Sequence, residues 1–204
     1  MKCLAVNTAN SILSVALVDG EKLVYAYETA ETRDQGNLLL SHLQFGLKEE
    51  GLTFNDIGLL VAVTGPGSFT GIRIGLAAMR GIALAAGTPI VGLSSFDLFA
   101  AQVAGHENIV CLESWREELY LRLAGAPPVN VPPEEFAKGL EAGDYIISGD
   151  AAEKLVPFVS GAVVSDVKVT AADAARLGLA KFAAGGADEP LPFYLRDADV
   201  TIAK

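Results

Sequence analysis

The chain has 204 residues, 51% of them hydrophobic and 20% charged, with a formal net charge of −10. That length predicts one complete domain plus a smaller one, with ample material for a core. The negative charge, with no Lys/Arg cluster to offset it, argues against direct tight binding to a phosphate backbone, and the apolar stretches are broken by Gly, Pro or charge before the ~20 residues of a membrane span.

Residues 3–8, 11–18 and 22–28 read as three strands, and Asp19-Gly20 between the second and third is a hairpin signal. At 35–50 the apolar period turns helical, with Leu39 or Leu40, Leu43 and Leu47 on one face and Gly51 as the stop. A buried strand at 59–64, a Gly-rich turn, a helix at 69–86, a strand at 89–92 and a helix after Ser94 follow. The order βββαβαβα predicts a mixed sheet in which hairpin strands are extended by parallel strands with helical crossovers. Such an arrangement resembles a ribonuclease-H-like half.

The pattern restarts more weakly after Gly105, with strands at 108–112, 119–123 and 145–148, the last two separated by a Pro-rich stretch. Two units are therefore expected, 1–105 and an abbreviated copy at 106–204. Within the second, Thr170 and Asp173 form a capping box for a helix that stops at Gly185-Gly186. The opening residues never form a signal-peptide core, so a cytoplasmic protein is expected. Cys3 and Cys111 lie far apart in strand-like segments and read as buried, reduced thiols.

The segment Gly65-Pro66-Gly67-Ser68-Phe69-Thr70-Gly71-Ile72-Arg73-Ile74-Gly75 joins a buried strand to a helix. Ser68 or Thr70 can cap that helix, and free amides around Gly65, Gly67, Ser68 and Thr70 offer an anion or nucleotide loop. A structural turn explains the same glycines, and no Lys-Ser or Lys-Thr follows to make a P-loop. Along the helix, Gly71, Gly75, Ala78 and Ile82 form a small-residue stripe suited to a close partner helix or to the chain's own sheet. The preceding helix carries apolar residues on more than one face: Leu38 and Phe45, beside Ser41 and His42, mark a second side that suits a partner or a broad core stripe.

No catalytic residue, metal site or cofactor is expected. His42 and His106 do not form a short-spaced ligand pair, and no Cys joins them into a zinc-like set. Glu113, Glu117 and Glu118, around Trp115 and Arg116, could in principle supply an acid and a base, but a solvated loop is the favoured reading, since nothing nearby supplies the burial or nucleophile that catalysis needs.

Residues 65–75 with Arg80-Gly81-Ile82-Ala83 resemble the most characteristic segment of the TsaB (YeaZ) family. The opening Leu4-Ala5-Val6-Asn7-Thr8-Ala9, residues 113–120 and the closing Phe193-Tyr194-Leu195-Arg196 are similar to other parts of it. The resemblance implies an α/β protein of the actin-like and sugar-kinase (ribonuclease-H-like) fold, with two lobes of mixed βββαβα sheets, the second abbreviated. It implies a non-catalytic scaffold or activator that binds a TsaD-like catalytic subunit in making threonylcarbamoyladenosine in transfer RNA. A TsaE-like ATPase would be a further component, and the chain would form a homodimer when alone. Departures from the family pattern are Asn7 for an Asp, Gln35 for a frequent His, and Glu113-Ser114-Trp115 for Asp-Ala-Arg. Ser95 and Phe99 stand where TsaD-like proteins carry a His pair. Two other functions compete: a free-standing nucleotide-binding ATPase or kinase, and, more remotely, a glycoprotease-like metallopeptidase.

Overall fold

The computed structural model describes residues 1–10, 12–31, 34–103, 107–114, 116–186 and 189–195. Three antiparallel strands open the chain, β1 (Lys2–Asn7), β2 (Leu13–Asp19) and β3 (Lys22–Thr29). Gly20, at φ +59°, makes the tight reversal between β2 and β3 that Asp19-Gly20 predicts. Helix α1 (Gln35–Glu49) follows, then β4 (Leu59–Gly65), α2 (Phe69–Ala86), β5 (Ile90–Ser94) and α3 (Ser95–Ala100). Strands β1, β4 and β5 run parallel, so the first sheet is ordered β3-β2-β1-β4-β5.

The second half supplies β6 (Asn108–Leu112), β7 (Leu119–Leu123), β8 (Val129–Val131), α4 (Pro133–Lys138), β9 (Ile146–Ser148), α5 (Ala152–Leu155), β10 (Val163–Val164) and α6 (Ala171–Ala183). Its sheet is ordered β10-β9-β6-β7-β8. Read from the other edge, this is the first sheet's order with the same mixture of antiparallel and parallel pairs. The copy keeps all five strands and abbreviates them, β8 and β9 to three residues and β10 to two. The architecture is the two-lobed actin-like fold with two mixed sheets.

Strands β8 and β10 and helices α4 and α5 were not expected from the sequence. They are too short for an apolar period to register, and β8 and α4 lie in the Pro-rich stretch. There Pro133 starts a helix, because the first helical position needs no N–H and accepts proline's fixed φ.

Strands β1 and β4 are buried almost throughout, which requires cover on both sheet faces. Helices α1 and α2 pack on each other and on β2 and β4, and α6 packs on β1, β2 and β4. Ala171, Ala172, Ala174, Ala175 and Gly178 form the buried stripe of α6. Any side chain at Gly178 would collide with Val61 of β4, so small residues set the close approach. The capping box holds, with Thr170 N donating to Asp173 Oδ2 at 2.9 Å, and Ala171 N donates to Ser14 Oγ of β2 at 2.8 Å. The segment expected to form a second unit at 106–204 thus gives its last helix to the first sheet. Covering a sheet face takes precedence over position in the chain. The expected boundary at Gly105 lies outside the described residues.

Cys3 and Cys111 are free and buried, and burial pushes the Cys3 thiol up to about 12. Helix α2 is long and apolar enough to cross a membrane by length and composition, contrary to the reading of broken apolar runs. It spends that character at home, burying Ile72, Leu76 and Met79 in the core shared with the first sheet.

Candidate functional site

Strand β4 runs into the Gly-rich loop, which returns the chain into α2. Gly65 takes φ +107° and Gly67 φ +155°, backbone that L side chains rarely adopt. A Cβ on Gly67 would collide with Ala9 O, and Ser68 N donates to that same carbonyl at 2.7 Å. Ser68 caps the helix by accepting from Gly71 N at 3.2 Å, and Ile72 N donates to Ser68 O at 2.9 Å. Gly65, Gly67, Ser68 and Thr70 are thus brought together as expected, but the amides of Ser68, Gly71 and Ile72 are engaged within the chain. In the β1–β2 turn, Ala9 O takes the Ser68 amide that an anion would otherwise compete for.

The same turn decides the small-residue stripe. Thr8 Oγ1 donates to Gly71 O at 2.7 Å, and a Cβ on Gly71 or Gly75 would run into Thr8. Gly71 and Gly75 are therefore buried against this chain and are not partner-facing, a correction to the expected interface. Their lack of a side chain lets α2 lie on the turn. Ala78 and Ile82 are half-buried and pack against the core. The outward face of α2 is instead Thr70, Arg73, Ala77, Arg80, Gly81 and Leu84, the last 88% exposed.

Helix α1 buries Leu39, Leu43 and Leu47, and Leu38 packs half-buried on the same core. Leu40 turns out instead, 48% exposed, beside exposed Ser41 and a 50% exposed Phe45. His42 lies half-buried, stacked on Tyr27 with 3.3 Å between ring centroids, and shares a 2.7 Å hydrogen bond between Nδ1 and Tyr25 Oη. Burial lowers the His42 pKa from its ordinary value and raises that of Tyr25. Tyr25 also packs on Phe45, and Gly46 leaves room for the Tyr25 ring. Of the expected partner residues, Ser41, His42 and Phe45 form one face, to which the structure adds Leu40, Tyr25 and Tyr27. The tyrosines were missed because cross-element packing on a strand leaves no trace in helical periodicity. Leu40 was ambiguous because it sits next to the true core position, Leu39.

Between the sheets is a cavity of about 430 Å³, lined in part by Asn10, Phe99, Asp150, Glu153, Asp166 and Lys168. Asn7 shapes its rim: Oδ1 accepts from Ala9 N at 3.1 Å and Nδ2 donates to Asn10 Oδ1 at 3.0 Å. Asn7 is thereby a turn-builder, a role its neutral amide fills with both a donor and an acceptor. Asp150 Oδ1 accepts from Glu113 N at 2.9 Å, and burial pushes its carboxyl above the usual range. Three carboxylates face one ammonium, a charge balance that disfavours a polyphosphate.

Glu113 pairs with Lys154, and Ser114 Oγ donates to Glu118 O, so the acidic segment is tied down by its own neighbours. Trp115 and His106 lie outside the described residues. Ser95 is fully buried, its Oγ without a hydrogen-bond partner among the described residues, and Phe99 borders the cavity. Among the described residues, no group of three His, Cys, Asp or Glu has the arrangement of a metal site.

A family model described as TsaD, tRNA N6-adenosine threonylcarbamoyltransferase, matches residues 30–122. The chain is 37% identical over 108 residues to the tRNA threonylcarbamoyladenosine biosynthesis protein TsaB of Escherichia coli, covering 53% of this chain and 46% of that one. It is 31% identical over 119 residues to an uncharacterised protein of Mycobacterium tuberculosis, covering 57% and 56%. The chain spans about half the length of the curated relatives it matches. A crystal structure from Pseudomonas aeruginosa, described as similar to peptidase YeaZ, superposes with a TM-score of 0.80 at 24% identity over 96% of this chain and 99% of that one. That superposition shows a shared fold, and proteins named TsaB match about half of this chain at 29–37% identity: the chain is similar to the TsaB (YeaZ) family.

Proposed function

We propose that this chain is a non-catalytic subunit in the making of threonylcarbamoyladenosine in transfer RNA, and that it works by docking a TsaD-like catalytic subunit on the outward faces of α1 and α2. The observation that carries the reading is the exposed apolar surface on these two adjacent helices, Leu40 and Phe45 on α1 and Leu84 on α2. Large apolar side chains grouped on packed neighbouring helices suit a protein interface. The name of the Escherichia coli relative and the description of the matching family model point to the same pathway and partner class.

The pseudo-enzyme reading rests on chemistry at named positions. Ser95 and Phe99 offer no imidazole nitrogen where a His pair would hold a metal, and the loop amides of Ser68, Gly71 and Ile72 are engaged internally. A free-standing ATPase or a metallopeptidase would need those groups. On this reading the chain is cytoplasmic, self-associates through the same helices when alone, and reaches transfer RNA only through its partner. A TsaE-like ATPase joins the same assembly.

Mixing the purified chain with a TsaD-like subunit, sizing the product and assaying modified adenosine with and without this chain tests the proposal. The expected result is a one-to-one complex and modification that depends on it. Modification at full rate without the chain, or ATP or peptide turnover by the chain alone, would remove the scaffold reading.

A further inference from the structure

We infer that residues 189–195 are a releasable strap that holds the Gly-rich loop shut against the β1–β2 turn, with Tyr194 as the release point. The strap grips the loop at both ends. At the β4 end, Phe193 N donates to Thr64 O at 2.8 Å, and Phe193 O lies so close to Gly65 that a Cβ there would stand 2.9 Å from it. At the α2 end, the Tyr194 ring packs on Phe69 with 5.3 Å between centroids, and Arg73 Nε donates to Tyr194 Oη at 3.2 Å. The Arg73 guanidinium also lies 3.7 Å over the Phe69 ring, so one cation joins both aromatics. The loop between Thr64 and Phe69 cannot move away from Ala9 without breaking one of these anchors.

The passage for the strap is cut by glycine. A Cβ on Gly92 of β5 would stand 3.1 Å from Pro190 Cα and 3.2 Å from Glu189 O. Between this passage and the loop, Phe193 packs edge-on against Phe96 of α3. The strap therefore runs past the middle of β5 to the end of β4 and touches α2 and α3, although it has no regular secondary structure of its own.

Its hold is graded. Pro190 is buried and Phe193 half-buried, whereas Tyr194, Phe69 and Arg73 are exposed. A segment held by few backbone hydrogen bonds and an exposed outer anchor opens locally at far lower cost than the core. Whatever draws Arg73 from Tyr194 loosens the outer anchor first, and the Ser68 amide is then free to leave Ala9 O. The outer anchor shares Arg73 with the outward face of α2, but the strap is tested on this chain alone, without a partner protein.

Amide hydrogen exchange on the full chain and on two variants tests the strap from opposite ends. Tyr194→Ala removes the outer anchor. Gly92→Ala crowds Thr64 Cγ2, which a Cβ would meet first at 2.9 Å, together with Pro190 and Glu189, and so strains the inner end of the strap without touching Tyr194. In both, the amides of Phe193 and Ser68 should exchange at least about tenfold faster, while the Leu60 amide in β4 stays protected. Faster exchange at Phe193 with none at Ser68 would show that the turn alone holds the loop, and would overturn the proposal. Equal acceleration at Leu60 in both variants would make the strap part of the global core, and would overturn it equally.

Discussion

Thr8 and Gly75 face each other where the β1–β2 turn meets α2, so closely that a Cβ on Gly75 would run into Thr8 Oγ1, a hydroxyl already donating to Gly71 O at 2.7 Å. Bulk at Gly75 therefore acts on folding. Gly75→Leu is expected to cost at least about 1–3 kcal/mol as an overpacked, buried site, lowering Tm by roughly 2–4 °C for each kcal/mol. Gly81→Leu on the outward face of the same helix, where nothing lies within 4 Å, should leave the melt nearly unchanged. Calorimetry of the two variants checks this, and equal melting temperatures would contradict the packing.

Phe45 and Leu84 lie on the proposed docking face and are 50% and 88% exposed. Leu84→Asp should shift stability by no more than about 0.5 kcal/mol, as an exposed site does, whereas Phe45→Ser, which gives up its packing on Tyr25, should lower it somewhat more. The same changes should weaken binding to a TsaD-like subunit at least about tenfold, or about 1.4 kcal/mol. Titration calorimetry with matched melting curves separates the two effects. Unchanged affinity in both variants would move the interface elsewhere.

Asp150 has its carboxyl pushed above 3.8, first by burial and further by the Glu113 charge, while the Glu113 amide and Asn10 act the other way. A raised carboxyl favours folding while protonated: that contribution is full below about 3.8 and is lost as pH rises through the folded pKa. Asp150→Asn keeps an oxygen for the Glu113 amide and drops the buried charge. It should melt above the wild type at pH 7, with the gain shrinking toward pH 4. A variant that melts lower at pH 7 would mean that Asp150 holds a favourable charge partner there.

His42 shows the opposite sign, its pKa held below 6.5 by burial against Tyr25 and Tyr27. Its neutral form supports the fold above pH 6.5, and that support is lost as pH falls through the folded pKa. The stability gap between wild type and His42→Gln should narrow on acidification below pH 6.5. Denaturant melts at several pH values measure it, and a gap that widens would show that the imidazolium is the stabilised form.

The sequence by itself determined the longer local elements and the resemblance to the TsaB family. The bounds 69–86, 108–112 and 119–123 were legible because each is a sustained apolar pattern between strong stops, and the capping box at Thr170 and Asp173 is a local signal. A weaker restart of the strand pattern after Gly105, together with the family resemblance, implied a second, abbreviated lobe. The Gly-rich segment was legible as a special backbone, since glycines at 65 and 67 answer a demand for positive φ.

Only the tertiary structure decided what those glycines face. Gly71 and Gly75 could serve a partner helix or the chain's own turn with the same spacing, and Thr8, more than sixty residues away, settles it for the turn. In the same way α6 joins the first sheet because its alanine stripe fits over Val61, and Tyr25 and Tyr27 of β3 enclose His42 of α1. Periodicity tells which residues share a face of one element. Which surface that face meets depends on shape and burial summed over distant segments, and no local pattern encodes it.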